Sequence, residues 1–336
     1  MPVLLLALSD EVSITDPKLV ALSNQIPLMF ENCRAKNTKE KYVGYYRRFK
    51  AWCNMFVEIK EPVKAIYVTL FLISQIQAGS SDSVIESYFY AIKHHYSMLD
   101  INPCDSKICK MVLEAGKRLC STRVRKKEPI TADHIRSIYD VFGGKQCKLT
   151  DFRTIVLIVL GYCGFMRYSE LSFLRASDFE FQTTHVEVFI EQSKTDIYRD
   201  GHWLHLARTG SELCPVSLAE EYFRRCNIDN ESEEHIFRGF TYFKRTNTYK
   251  LRKSGKPISY STARENVLSA VKQIGLDPKK FGLHSLRSGG ATAAANNGVK
   301  DRLFKRHGRW KSDRAKDGYI KDCLNSLLSV SCSLGL

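Results

Sequence analysis

The stretch that most constrains this chain lies near its end, where glycines divide residues 284–321 into three short helical segments with an unusual density of cations. Ala291, Ala293, Ala294 and Ala295 are strong helix formers and Asn297-Gly298 is a stop, so a first helix is expected from His284, with His284 and Arg287 on one face. A second helix is expected from Asp301 to His307, ended by Gly308. A third begins near Ser312 and delivers Tyr319 just beyond it, with Gly318 loosening the backbone before the tyrosine. Ten Lys or Arg against three acids give this stretch an excess of seven positive charges, a surface that attracts phosphate. Charge alone does not separate a phosphate site from a solvated helical face. An arginine, a histidine and a tyrosine together in a basic setting do narrow the choice, since they suit phosphoryl transfer to a tyrosine oxygen.

At 336 residues the chain has room for two domains, and 44% hydrophobic with 26% charged residues argues against wholesale disorder. The balance of 51 basic to 36 acidic residues, net +15, favours a polyanionic partner, of which nucleic acid is the commonest. Eleven cysteines, an odd number scattered without CxxC spacing, read as reduced thiols of an intracellular protein. His202 and His205 lie on an expected strand without nearby cysteines, so no zinc site and no cofactor is expected. The apolar run Val3–Leu8 has no preceding basic region and is too short for a signal peptide or a membrane span, so no membrane association is expected.

In chain order, residues 1–27 read as a loosely held arm and residues 28–120 as a small helical domain. Asn37-Thr38-Lys-Glu40 opens a long amphipathic helix that carries Tyr42, Tyr45, Tyr46, Phe49 and Trp52, most of them suited to a core. Lys41, Arg47 and Arg48 lie among these aromatics and are candidates to face a DNA backbone. Further helices fit Val63 to Ile76, Ser81 to Met98 and Ser106 to Arg118. Residues 121–130 form a basic linker in which Arg123, Arg125, Lys126 and Lys127 either track phosphates or serve as a solvated hinge. Residues 131–336 form the second domain, whose tail runs from about residue 320.

Thr131 caps the first helix of that domain, over about 132–142, and a second is expected over 149–162. Gly161-Tyr-Cys-Gly164-Phe-Met-Arg167-Tyr-Ser-Glu170 then reads as a tight turn into a helix whose first turn holds Arg167 and Glu170. In isolation such a pair is a surface ion pair worth a few tenths of a kcal/mol; its place after an apolar run and a turn argues for another use. His185–Glu191 alternates like a strand and His202–Leu206 like its partner, with Lys194 in the turn between them. A helix fits Pro215 to Cys226, residues 227–257 read as a basic loop, and Thr262-Ala-Arg-Glu265 reads as a capping box. Leu324, Leu327, Leu328 and Val330 at helical spacing need an apolar surface to pack against, on this chain or on a neighbour.

His284-x-x-Arg287 followed by Trp310 nine residues before Tyr319 resembles the C-terminal active-site box of the tyrosine recombinases, or phage-type integrases. Arg167 with Glu170 resembles their first arginine box, and Asn37-Thr38 with Tyr42 the start of their core-binding domain, a helical clamp on the duplex. The runs His-Ser-Leu-Arg-Ser-Gly-Gly-Ala-Thr and Arg-His-Gly-Arg-Trp are similar to eukaryotic mobile-element recombinases of the Crypton and DIRS/Ngaro type. This resemblance implies a mainly α fold with a small antiparallel β-sheet: a helical core-binding domain and an α+β catalytic domain. It implies that Tyr319 attacks a DNA phosphorus to give a 3′-phosphotyrosyl intermediate without metal or ATP. His284 would be the base, Arg167 and Arg287 the phosphate clamps, Lys194 the acid to the leaving 5′ oxygen, Trp310 an N–H donor and Glu170 a support. Arg306 and Arg309 would add DNA contacts, the tail would join subunits into a tetramer on DNA, and a eukaryotic host would place the protein in the nucleus. His307, twelve residues before Tyr319, competes with Trp310 for the third position, and a binding-only descendant of such an enzyme is the alternative function.

Overall fold

A computed structural model describes residues 15–97, 102–122, 125–144, 146–191, 200–253 and 255–335. The chain divides into two units, residues 1–125 and 126–336.

The first unit is helical: α1 (Pro17–Ser23), α2 (Ile26–Asn32), α3 (Lys36–Cys53), α4 (Ala65–Gln77), α5 (Asp82–His95) and α6 (Lys107–Leu119). Asp16 caps α1 through hydrogen bonds accepted from the Lys18 and Leu19 amides, and Pro17 fits the first helical position. The described residues of the stretch read as an arm, from residue 15 on, hold one short helix and the start of another, with Leu19 and Leu22 exposed. α3 packs on α5 and α4 on α6, around Phe49, Phe71, Leu72, Ile85, Ile92 and Tyr96. Phe49 and Tyr88 each meet Phe71 edge-on, with centroids 5.0 Å apart, a geometry that adds to simple area burial. The aromatic positions of α3 thus divide between core and flank: Phe49 is buried, while Tyr45, Tyr46 and Trp52 are half-buried against it.

In the second unit, α7 (Ala132–Phe142) packs on α8 (Leu149–Cys163), and Thr131 caps α7 by accepting from the His134 amide. Ile155 to Leu160 of α8 are buried without a break, so this helix is apolar all round and the unit is wound about it. A short helix, α9 (Tyr168–Phe173), leads to the antiparallel sheet β1 (Phe179–Phe181), β2 (His185–Ile190), β3 (His202–Ala207). Val186, Val188, Ile190, Leu204 and Leu206 face inward while His185, Glu187 and His205 face out, the period of two that makes β2 and β3 legible. β1 is three residues long and was not anticipated.

α10 (Pro215–Cys226) packs on α8. The region expected to be a loop, residues 227–257, contains a hairpin of β4 (Phe240–Phe243) and β5 (Thr248–Leu251) that turns at Asn247, φ 50°. Arg153 of α8 fastens this region by donating 2.8 Å to the Arg238 carbonyl. The cap of α11 (Tyr260–Gln273) is Ser259, not Thr262: Ser259 has extended backbone and accepts from the Thr262 amide at 3.1 Å, which places Thr262 inside the first turn. Then follow α12 (His284–Asn296), α13 (Asp301–His307), α14 (Asp313–Asp317) and α15 (Leu324–Cys332). α12 stops at Asn297-Gly298, where Gly298 is left-handed at φ 73°, and Ser312 caps α14, both as expected. α15 is exposed throughout in the single chain. Among the described residues no helix is long and apolar enough to cross a membrane.

Candidate active site

The turn between α8 and α9 supplies the frame. Gly164 ends α8, Phe165 takes left-handed backbone at φ 47°, and Arg167 begins α9 as its N-cap. The Glu170 carboxylate reaches back to this cap, accepting 2.9 Å from the Arg167 amide and 2.8 Å from Arg167 Nη1. Glu170 is 0% and Arg167 11% exposed in the side chain, so the pair is a buried one. That distinction matters, because a buried carboxylate must be fully compensated whereas an exposed pair contributes little.

α12 brings Arg287 onto this frame. Its side chain is 0% exposed; Nη1 donates to the Phe165 carbonyl and Nη2 donates 2.6 Å to the Gly308 carbonyl. Nη1 lies 3.7 Å from Glu170 Oε2. The approach needs Gly290, where a Cβ would come within 2.0 Å of the Tyr162 carbonyl oxygen. This answers why a helix otherwise rich in alanine tolerates a glycine that lowers its intrinsic propensity.

Trp310 and Tyr319 cover Arg287. The guanidinium carbon stands 4.7 Å from the Trp310 ring centroid and 4.8 Å from that of Tyr319, and the two rings are 5.6 Å apart at 45°. Trp310 can lie there because Gly308 has no side chain; a Cβ would sit 1.8 Å from the indole. Tyr319 is half-buried and its segment is pinned: Thr292 donates 3.4 Å to the Tyr319 carbonyl and accepts 3.1 Å from the Lys321 amide. Lys126 Nζ donates 3.3 Å to the Gly318 carbonyl and Glu128 pairs with Lys321 at 2.5 Å. The first residues of the second unit are thus fastened beside the tyrosine. Trp310 Nε1 and Arg287 Nε are buried without a partner among the described atoms.

His307, the competitor for the third position, instead donates 2.7 Å from Nε2 to the Cys163 carbonyl and stacks edge-on against Phe165 at 4.6 Å. Burial, chiefly, and the neighbouring Arg309 hold its pKa below the usual imidazole value. Trp310 is therefore the residue that touches both Arg287 and Tyr319. His284 is the first residue of α12 and exposed, one turn before Arg287. Lys194 falls in the connection from β2 to β3 and, like Arg123, lies outside the described residues.

Arg309 differs most from its expectation. Expected as a surface contact, its side chain is 5% exposed and donates 2.8 Å to Glu170 Oε2. Three arginines therefore converge on one carboxylate. Burial alone would raise the Glu170 pKa, but Arg309, the Arg167 amide, Arg287 and Arg167 outweigh it and hold the group below its ordinary value. Burial followed by repulsion from Arg167 pushes Arg287 down to about 10, so its charge is retained at neutral pH at a cost. No sequence periodicity marks Arg309 as buried; the available signal is its place between Gly308 and Trp310 inside the box.

Of the remaining basic candidates, Lys41, Arg47, Arg48, Arg125, Lys126, Lys127 and Arg306 are exposed. Lys41 and Arg48 both lie over Tyr45, at 5.7 and 5.2 Å from its centroid. Among the described residues no group of three or more His, Cys, Asp or Glu could hold a metal ion.

The model of the phage integrase family matches residues 128–322, which include Arg167, Glu170, Arg287, Arg309, Trp310 and Tyr319. A curated relative, an integrase/recombinase xerD homolog of Selenomonas ruminantium, is 25% identical over 305 residues, covering 89% of this chain and 86% of the relative. The fold is similar to that of XerH site-specific recombinase bound to palindromic difH substrate (TM-score 0.61, 14% identity, 98% of this chain and 93% of that one). It is similar also to the Tn1549 transposon integrase with circular intermediate DNA (0.54, 15%, 96% and 100%) and to a lambda integrase dimer on a core site (0.55, 17%, 90% and 95%).

Proposed function

The chain belongs to the phage integrase family and is a tyrosine recombinase, an enzyme of site-specific DNA recombination, and from that premise we propose how its residues divide the work. Tyr319 Oη attacks a phosphorus of the DNA backbone; the P–O5′ bond breaks and a 3′-phosphotyrosyl link forms, so that the reverse attack rejoins DNA without ATP. A phenol of ordinary pKa about 10 must lose its proton, for which His284 is the base, and the departing 5′ oxygen takes a proton from Lys194. Arg167 and Arg287 hold the non-bridging oxygens through paired N–H groups that lysine does not offer.

The observation that carries this reading is the combination of unspent donors and unspent charge beside Tyr319. Arg287 Nε and Trp310 Nε1 are buried donors without partners, and three guanidinium groups face one carboxylate. Buried polar groups left unpaired cost stability unless a ligand uses them, and an anion that met these groups would relieve both costs. A phosphodiester is such an anion.

The helical domain, residues 28–120, would serve as the core-binding domain and residues 131–336 as the catalytic domain, with residues 121–130 as the linker. Double-stranded DNA is the partner, contacted through Lys41, Arg47, Arg48, Arg123, Arg125, Lys126, Lys127 and Arg306. The exposed leucines of α15 fit a trans contact between subunits, consistent with a tetramer. Action on DNA places the protein inside the cell, and in the nucleus of a eukaryotic host; that host assignment rests on the two sequence runs of Crypton and DIRS/Ngaro type alone.

Suicide-substrate trapping tests the assignment. Nicked DNA pools incubated with the protein in EDTA should give a covalent adduct on a denaturing gel that Tyr319→Phe does not form. DNA binding with no adduct from any pool would favour the binding-only alternative.

A further inference from the structure

Arg309 sits on left-handed backbone, φ 55°, where glycine is at ease and a long side chain is strained. Such a conformation persists only where the surroundings over-determine it. Four acceptors hold its terminal nitrogens: Arg309 Nη1 donates 2.8 Å to the His307 carbonyl, and Nη2 faces Glu170 Oε2 at 2.8 Å and the Phe165 and Gly164 carbonyls at 3.1 and 3.2 Å, while Nε is buried without a partner among the described atoms. One guanidinium therefore ties the segment that carries Trp310 to the turn that carries Arg167. Neighbouring cations of the same stretch, Arg302, Arg306, Lys311 and Arg314, stay exposed. Arg309 is spent on the frame.

Two of its acceptors are shared. The Phe165 carbonyl also receives Arg287 Nη1, and Glu170 Oε2 also receives the Arg167 amide and lies 3.7 Å from Arg287. Whatever fixes these two acceptors fixes the spacing of the arginine pair. We propose that Arg309 is a positioning residue of the cleavage centre: through Glu170 and the Phe165 carbonyl it sets the separation at which Arg167 and Arg287 meet one phosphodiester. The inference rests on the recombinase reading above, and Arg309 itself makes no contact with DNA in it.

Backbone geometry supplies a variant that need not unfold. Arg309→Gly removes the guanidinium and relaxes the left-handed position, while Arg309→Lys keeps a charge that can pair with Glu170 but not span the three carbonyls. The measurement is single-turnover formation of the phosphotyrosyl adduct on a nicked duplex, with DNA affinity and thermal midpoint taken on the same preparations. Arg309→Gly should bind DNA within about 3-fold of the parent and melt within a few degrees of it, yet form adduct about 30-fold more slowly, with Arg309→Lys between the two. In a Glu170→Gln background the further loss from Arg309→Gly should shrink to about 3-fold or less, because residues acting as one unit are not additive. A rate equal to the parent's overturns the proposal. So does a loss of the same size with and without Glu170, and so does a collapse of the melting midpoint in both Arg309 variants, which would make the role purely structural. If the parent chain gives no Tyr319-dependent adduct, the recombinase assignment itself fails and this inference falls with it.

Discussion

The two units each hold a cluster of cations against aromatic rings, and they use it in opposite ways. On α3, Lys41 and Arg48 lie over the face of Tyr45 and are exposed. In the second unit Arg287 lies under Trp310 and Tyr319, fully buried, with both terminal nitrogens committed to carbonyls. Exposed cations attract a polyanion through its counterions, and their effects add. Buried cations in a fixed frame act through geometry, and their effects multiply or vanish together. The difference separates affinity from chemistry, and each half of it can be broken.

The largest effect belongs to Arg287. Arg287→Lys keeps the charge but loses the planar fork, and the rate of adduct formation should fall about 10²–10³-fold, the scale of removing one fixed donor from a developing anion. DNA affinity should change far less. Measuring both on one duplex sharpens the comparison; an equal fall in affinity and rate would erase it.

Next comes the exposed half. Replacing Lys41, Arg47 and Arg48 together with Ala should weaken binding about 10-fold or more at moderate salt and lower the slope of log K against log salt by about 2–3, since each phosphate contact contributes about 0.9. The single-turnover rate on saturating DNA should stay within about 2-fold of the parent. An unchanged salt slope would remove α3 from the interface.

Trp310→Phe is smaller again. It keeps the ring over Arg287 but deletes the buried Nε1 donor, so adduct formation should drop about 10-fold at unchanged affinity. His307→Gln, whose parent imidazole faces the Cys163 carbonyl, should cost less in rate than this. The reverse order would return the third position to His307.

How much of this was open to sequence depends on what kind of physics each element obeys. α12 and its stop at Asn297-Gly298, the β2 and β3 strands and the buried helix α8 follow local periodicity and turn chemistry, and they read correctly from residues alone. The β4–β5 hairpin did not, because Phe240–Phe243 does not alternate and the partner strand is only four residues of mostly polar character. The cap at Ser259 was displaced to Thr262 because both residues have a hydroxyl three positions before a further helical residue, and only backbone conformation decides between them. Arg309 was illegible for a deeper reason. An arginine in a basic run scores as surface, and its burial follows from a carboxylate 139 residues earlier in the chain. Arg167 and Glu170 could be paired from their spacing, but not that the one carboxylate would serve two further arginines, Arg287 and Arg309.

The smallest expected effect is on stability in acid and concerns one carboxylate in each unit. Glu61 of the first unit, exposed, is drawn down against partial desolvation by Lys50 and Tyr96, whose polar atoms both stand 2.5 Å from it; Glu170 is drawn down against burial by Arg309 first. A carboxyl whose folded pKa lies below its unfolded one contributes stability that is complete above the unfolded value, near 4.5, and is lost as pH falls through the folded value. Both Glu61→Gln and Glu170→Gln should therefore flatten the dependence of the thermal midpoint on pH below about 4.5. Only Glu170→Gln should also slow adduct formation at pH 7, because Glu61 holds together a helical unit while Glu170 holds arginines at a spacing. A Glu61→Gln enzyme that bound DNA normally but cleaved as slowly as the Glu170 variant would show that the chemistry is not confined to the second cluster.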